Sequence, residues 1–73
     1  MSKLAVGHVL KVRYVHQFPY TFDVEVTAIG DGDEFTGRVK RIFAADDGEI
    51  TGGDILRWKE QEKVFKTTNI LCL

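Results

Sequence analysis

The side chains best suited to catalysis or metal binding, two histidines and one cysteine, are spread along the chain. His8 and His16 lie at opposite ends of one predicted strand, and at ~3.3 Å per residue this spacing separates them by roughly 26 Å. One chain therefore cannot bring both to the same metal. Cys72 approaches His8 only if the last strand pairs with the first. Because no nucleophile–base pair or ligand cluster is visible, we predict a non-enzymatic protein with no catalytic residue, no metal site and no cofactor.

Acidic residues and glycines cluster in two short segments, residues 31–34 (DGDE) and residues 46–49 (DDGE). The first has the look of a calcium loop but lacks the full spacing of oxygen ligands. No Gly-Lys-Ser/Thr motif accompanies the glycines, so a phosphate loop is not predicted. Gly and Asp are typical turn residues. Both segments are therefore interpreted as turns, and no small-molecule substrate is inferred.

Basic residues are densest at Arg38-Val39-Lys40-Arg41. Together with Lys11 and Arg13 they can present a cationic sheet face to phosphates. Aromatic side chains suited to base stacking are also present: Phe18, Tyr20, Phe43 and Trp58. Acidic residues are expected on the same face, and the whole chain has ten Lys and Arg against eleven Asp and Glu. Single-stranded RNA or DNA binding is therefore an alternative hypothesis, with Lys11, Arg13, Arg38, Lys40 and Arg41 as its residues.

The loop His16-Gln17-Phe18-Pro19-Tyr20 is the most suggestive feature for binding. An exposed aromatic hairpin tip can anchor a partner, although Phe18 can equally fold back onto the core and Pro19 can simply stiffen the turn. Trp58 has the same two interpretations. We take Phe18, Pro19, Tyr20 and Trp58 as the candidate partner-binding residues. The expected partner is a protein or a second copy of this chain.

Hydrophobic alternation predicts three strands in the first half of the chain, at residues 8–15, Tyr20–Ile29 and Glu34–Ala44. In the second of these, five residues are predicted to face the core: Tyr20, Phe22, Val24, Val26 and Ala28. The alternation of the third strand becomes ambiguous over residues 40–43, which predicts a β-bulge there.

Opposite charges suggest how these strands pair, because cross-strand neighbours share a face. The register that we predict places Leu10 against Val26 and Ala28 against Phe35. It also creates two charge rows across a three-stranded meander: Lys11–Glu25–Arg38 and Arg13–Asp23–Lys40.

The second half of the chain is less regular. Residues 49–51 are predicted to be a short extended piece, and residues 64–67 a strand. Residues 54–59 fit a helix capped by Asp54 or a strand, and we favour the strand. Residues 67–69 are predicted to be a turn or a 3₁₀ step. Residues 70–73 are apolar on both faces, which predicts a buried closing strand or an interface strand.

These patterns predict one all-β domain spanning residues 1–73. The expected architecture is a small antiparallel barrel of five or six strands, SH3-like or OB-like, built on the N-terminal meander. The lone cysteine favours a reducing compartment, and no signal peptide or membrane-spanning run is visible. We therefore expect a cytoplasmic interaction module with no membrane association.

Overall fold

The computed structural model describes residues 4–13, 20–44 and 48–72. Its described part contains five strands and two short 3₁₀ helices, with no α-helix. The strands are β1 (Val9–Arg13), β2 (Tyr20–Ile29), β3 (Glu34–Ala44), β4 (Glu62–Lys66) and β5 (Ile70–Cys72). The 3₁₀ helices are η1 (Asp54–Trp58) and η2 (Thr67–Asn69). The all-β prediction is confirmed, and β2 and β3 have the predicted bounds.

The strands form one antiparallel sheet in the order β4-β3-β2-β1-β5. Among the described residues, β4 and β5 lie at the two edges and the sheet is not closed into a barrel, so the predicted barrel is not confirmed. Neighbouring strands are joined in sequence from β1 to β4, which confirms the meander. Strand β5 then returns to pair with β1. It forms an edge of the described sheet and Leu71 is exposed, so the predicted buried closing strand is not found and the interface strand stays a prediction.

One face of the sheet, here called the core face, carries most of the buried apolar side chains, as the alternation of side chains along a strand predicts. The core packs these residues with Ile55 from η1: Leu10, Val12, Phe22, Val24, Val26, Phe35, Val39, Ile42 and Phe65. The opposite face, here called the open face, carries charged and Thr side chains. Alternation therefore fixes which residues enter the core, except at the two β-bulges described below.

The pairing of β1 with β2 differs from the prediction. Leu10 lies opposite Val24 instead of Val26, and Lys11 lies opposite Asp23 instead of Glu25. Arg13 consequently faces Thr21. A shift of two residues keeps every side chain on its face, so alternation cannot distinguish the two registers.

The pairing of β2 with β3 agrees with the prediction in its centre and departs from it at both ends. Glu25 faces Arg38 as predicted, and the register shifts beside Val24. This shift leaves Lys40 as an extra residue between Val39 and Arg41, which confirms the predicted bulge.

A second shift occurs between Val26 and Ala28 of β2 and was not predicted. Ala28 faces Thr36 instead of Phe35 and is exposed instead of inward. At the Lys40 bulge the extra residue likewise shifts the pairing, so Asp23 lies opposite Arg41 instead of Lys40. Each bulge moves the pairing by one residue, and neither charge row survives as predicted.

The strand predicted over residues 54–59 is wrong, because Asp54–Trp58 form η1. Ile55 is buried and Leu56 and Trp58 pack against the core. A strand would point Ile55 and Leu56 to opposite faces, whereas a helical turn brings both to the core. Gly53, with φ of 95°, begins the turn, and Asp54 does not cap it with its side chain.

The remaining elements of the second half agree with their predictions in part, because the strand predicted over residues 64–67 is β4, which spans Glu62–Lys66. Phe43 and Glu49 form an isolated antiparallel bridge, which accounts for the short extended piece. The 3₁₀ step is η2. Strand β5 places Cys72 opposite Lys11 and Ile70 opposite Val12. In the described part of the chain, no helix is long and apolar enough to cross a bilayer.

Candidate binding site

Tyr20 and Trp58, two of the four residues predicted to bind a partner, line the same surface groove. The groove has a volume of about 270 Å³, and Asp54, Ile55 and Arg57 complete its lining. It is called the Tyr20–Trp58 groove below. Thirty-seven residues of sequence separate the two aromatic side chains, so the fold alone brings them together.

The groove lies where the start of β2 meets η1. Tyr20 is the first residue of β2, on the same side of the strand as Phe22, and it is half-buried. Ile55 anchors η1 to the core with only 9% of its surface exposed. This anchor leaves Asp54 and Arg57 exposed at the rim. The groove therefore has an apolar floor and a charged edge.

Trp58 is held from two directions. Its ring stacks on the fully buried Phe22 ring, with centroids 5.6 Å apart and planes 23° apart. The Nζ atom of Lys63 lies 3.9 Å from the Trp58 ring centroid, which is a cation–π contact. Trp58 nevertheless remains half-exposed. A rigid, partly exposed aromatic ring is a suitable anchor for a ligand.

The backbone after η1 is fixed by hydrogen bonds that hold Arg57 in place. The side-chain amide of Gln61 donates to the Arg57 carbonyl oxygen, and the Gln61 backbone N–H donates to the Trp58 carbonyl oxygen at 3.1 Å. The Glu60 N–H donates to the Val39 carbonyl oxygen at 2.7 Å. These bonds tie the groove to β3.

Phe18 and Pro19, the other two predicted partner-binding residues, lie outside the described residues. Their assignment therefore stays a prediction. The groove is also lined by three residues that were not predicted from the sequence: Asp54, Ile55 and Arg57. Their signal was the spacing of Ile55, Leu56 and Trp58, which fits one face of a helical turn.

The residues predicted to bind nucleic acid lie mostly on the open face, away from the groove, and three of them are paired with acids. Lys11 contacts Asp23 at 3.1 Å, Arg38 contacts Glu62 at 3.0 Å, and Lys40 contacts Glu60 at 3.2 Å. These acids lower the positive potential that phosphates would meet. Acidic side chains therefore neutralise this basic face, as expected. The acids that pair with Lys11, Arg38 and Lys40 differ from those predicted.

Arg13 and Arg41 complete this set. Arg13 is half-buried opposite Thr21, and Thr21 in turn lies opposite Phe43. Arg41 is exposed opposite Asp23 and forms no ion pair with any residue in the described ranges. One aromatic ring accompanies these cations, since the Lys11 Nζ lies 4.3 Å from the Phe43 centroid.

Two of the three residues first considered for chemistry, His8 and Cys72, lie in the described part of the chain. His8 is exposed, and His16 lies outside the described residues. The last strand does pair with the first, but it places Cys72 opposite Lys11 instead of His8. Across residues 4–13, 20–44 and 48–72, no group of three metal-ligating side chains occurs. The Asp31–Glu34 segment lies at the β2–β3 turn, as predicted.

No protein family, curated protein or solved structure matches this chain.

Proposed function

We propose that this protein is a non-enzymatic interaction module whose Tyr20–Trp58 groove binds a short segment of a protein partner. The observation that carries the proposal is the shared groove itself. Tyr, Trp and Arg are the residues most enriched among those that dominate binding energy in protein interfaces. All three types line this one groove.

The composition of the groove supports a protein ligand. An apolar centre with a polar rim is the usual anatomy of a protein interface. Ile55 and the two aromatic rings supply the centre, and Asp54 and Arg57 supply the rim. Trp58 is already held by Phe22 and Lys63, so binding costs little side-chain entropy there.

Single-stranded nucleic acid binding is the second candidate function. Its specific support is the Lys11–Phe43 contact with Arg41 exposed on the same face. An aromatic platform beside cations is the usual arrangement for binding single strands. The acids paired with Lys11, Arg38 and Lys40 weigh against it, as does the position of Tyr20 and Trp58 on the other side of the sheet.

The proposal extends to topology and location. The strand order supports an SH3-like over an OB-like arrangement, because the OB-fold is a Greek key whereas β1 to β4 here form a simple meander. The single cysteine supports a reducing, cytoplasmic environment.

The groove is tested by selecting ligands from a displayed random-peptide library and titrating the enriched synthetic peptides into the protein. Trp58 is the single tryptophan, so its fluorescence reports directly on the groove. We expect saturable quenching or a spectral shift, and weaker binding in Tyr20→Ala and Arg57→Ala by at least about tenfold. Arg41→Ala, on the open face, is the matched control for Arg57→Ala.

The same protein is then titrated with mixed-sequence single-stranded DNA at low and high salt. Binding that Arg41→Ala weakens, that Tyr20→Ala leaves unchanged, and that falls steeply with salt would replace the groove proposal with the nucleic-acid one. Peptide binding that is equal in Tyr20→Ala, Arg57→Ala and the original protein would refute the groove.

A further inference from the structure

Strand β4 is an open edge of the sheet. It pairs with β3 on one side, and within residues 4–13, 20–44 and 48–72 no strand lies on its other side. Its middle residue, Val64, has 55% of its surface exposed. An edge strand with unpaired backbone groups is a template for another strand.

The hydrogen-bond pattern of β3 with β4 shows which backbone groups face outward. Just before β4, the Val39 N–H donates to the Gln61 carbonyl oxygen at 3.0 Å; just after it, the Thr67 N–H donates to the Asp33 carbonyl oxygen at 2.7 Å. Odd-numbered residues of this segment therefore bond to β3. Because the direction alternates along an antiparallel strand, the N–H and C=O groups of the even-numbered residues point to the open edge: Glu62, Val64 and Lys66.

We propose that β4 pairs antiparallel with β4 of a second copy of this chain, about a two-fold axis at Val64. This register places Val64 opposite the same residue of the second copy, and Glu62 opposite its Lys66. All three facing pairs use backbone groups that already point outward, so each pair can exchange two hydrogen bonds. The interface is isologous, as expected of a two-fold dimer.

Charge complementarity is the argument for a second copy as the occupant. Within one chain, Arg38 lies opposite Glu62 and Glu34 lies opposite Lys66, and both pairs make ion contacts, at 3.0 and 3.7 Å. Across the two-fold axis, Glu62 meets Lys66 of the second copy. The open face then carries a row of alternating sign, and symmetry repeats it: Glu25, Arg38, Glu62, then Lys66 and Glu34 of the second copy.

The register is specific, because sliding by two residues in either direction pairs Val64 with Glu62 or with Lys66 of the second copy and shortens the overlap. Lysines on an edge usually discourage strand addition. Here Lys66 meets a glutamate, and Lys63 lies on the core face beside the Trp58 ring, opposite Phe65 of the second copy. No like charges face each other in the proposed register.

We expect the dimer to be weak. Its formation does not depend on whether the Tyr20–Trp58 groove binds a partner. One five-residue strand pair buries less area than the standard interface of about 1,600 Å², which places it among transient contacts. The test is the mass of the protein in solution, measured by sedimentation equilibrium and light scattering at protein concentrations up to about 1 mM. The monomer has a mass of 8.3 kDa, and we expect the mass to rise towards twice that value. A constant monomer mass over this range would overturn the proposal.

A charge-swap experiment tests the register. Glu62→Lys alone places Lys opposite Lys in both outer pairs, and Lys66→Glu alone places Glu opposite Glu. Each variant should therefore be monomeric, whereas an equimolar mixture restores both pairs and should form a heterodimer. Glu49→Lys and Lys59→Glu, exposed residues outside β4, are the matched controls and should dimerise like the original protein.

Amide hydrogen exchange identifies the edge independently of any substitution. We expect the amides of Glu62, Val64 and Lys66 to gain protection as protein concentration rises. Lys63 and Phe65, whose amides bond to β3, should be protected at every concentration. Dimers that persist in both single charge variants, or added protection at β5 instead of β4, would assign the interface elsewhere and overturn the proposal.

Discussion

Phe22 and Trp58 stack with their ring centroids 5.6 Å apart, which joins the floor of the groove to the centre of the core. Phe22 has no exposed surface, whereas Trp58 is half-exposed. Trp58 therefore stabilises the fold and lines the candidate site at the same time. Substitutions that test binding are better placed at Tyr20 and Arg57, which line the groove without this stacking contact.

Replacing Trp58 separates these two roles. Trp58→Ala removes the stacking and the cation–π contact with Lys63, and we expect it to lower the free energy of unfolding by about 2 kcal/mol. Trp58→Phe keeps an aromatic ring on Phe22 and should cost less than about 1 kcal/mol. Urea unfolding followed by far-ultraviolet circular dichroism measures both. Equal losses in the two variants would show that the aromatic contact contributes nothing.

Gly37 on β3 has no room for a side chain. A Cβ atom there would overlap with Cγ1 of Val24, a buried residue of β2. We expect Gly37→Ala to destabilise the protein by about 1–3 kcal/mol through overpacking. Gly52→Ala is the control, since nothing lies within 4 Å of a Cβ there, and it should change stability by less than about 0.5 kcal/mol.

The same contact can be tested by a double-mutant cycle. In a Val24→Ala background the clashing methyl group is absent, so Gly37→Ala should cost less than it does in the original protein. Thermal or urea unfolding of the original protein, the two single variants and the double variant gives the coupling free energy between residues 24 and 37. A cost that is independent of residue 24 would place the strain elsewhere.

Glu60 adopts a left-handed backbone conformation, with φ of 67°, in the turn between η1 and β4. Glu60→Gly and Glu60→Ala both lose the ion pair with Lys40, so their difference isolates the backbone. We expect the Gly variant to be more stable than the Ala variant by about 1 kcal/mol. Chemical denaturation of the two variants measures this difference, and an Ala variant of equal or greater stability would contradict the left-handed turn.

Ile55 anchors η1, so its truncation should loosen the groove before it unfolds the sheet. We expect Ile55→Ala to cost about 2–3 kcal/mol and to shift Trp58 fluorescence to longer wavelength under native conditions, because the ring gains contact with water. Leu71→Ala, which truncates a half-exposed side chain of β5, is the control and should leave the emission unchanged. An unshifted spectrum in Ile55→Ala would show that Trp58 is held without η1.

The bounds of β2 and β3 could be predicted from the sequence. Residues 30–33 consist of Gly and Asp, which favour turns, and apolar and polar residues alternate on either side of them. The bulge at Lys40 was also predictable, because the alternation of apolar and polar residues becomes ambiguous over residues 40–43. The structure agrees, since Val39 and Ile42 are both buried although three positions apart. The bulge beside Thr27 could not be predicted from the alternation, because Ala28 is small enough to lie on either face of the sheet.

The candidate site was predicted in part. Tyr20 was selected because it ends the aromatic loop at residues 16–20, and Trp58 because its ring can either pack in the core or bind a partner. Their placement in one groove depends on η1. The sequence fits either a helix or a strand there, and the strand was favoured because the segment before the next predicted strand is short. Asp54 and Arg57 join the site only as a result of that turn.

The sequence by itself determined the all-β class, the strands of the meander and, away from the second bulge in β2, the faces that their side chains occupy. These features follow from local backbone preferences and from period-two burial. Tertiary structure decided the register of β1, the η1 turn, the ion-pair partners of Lys11, Arg38 and Lys40, and the groove. Registers two residues apart satisfy the same alternation, so only the packing of the whole sheet selects between them.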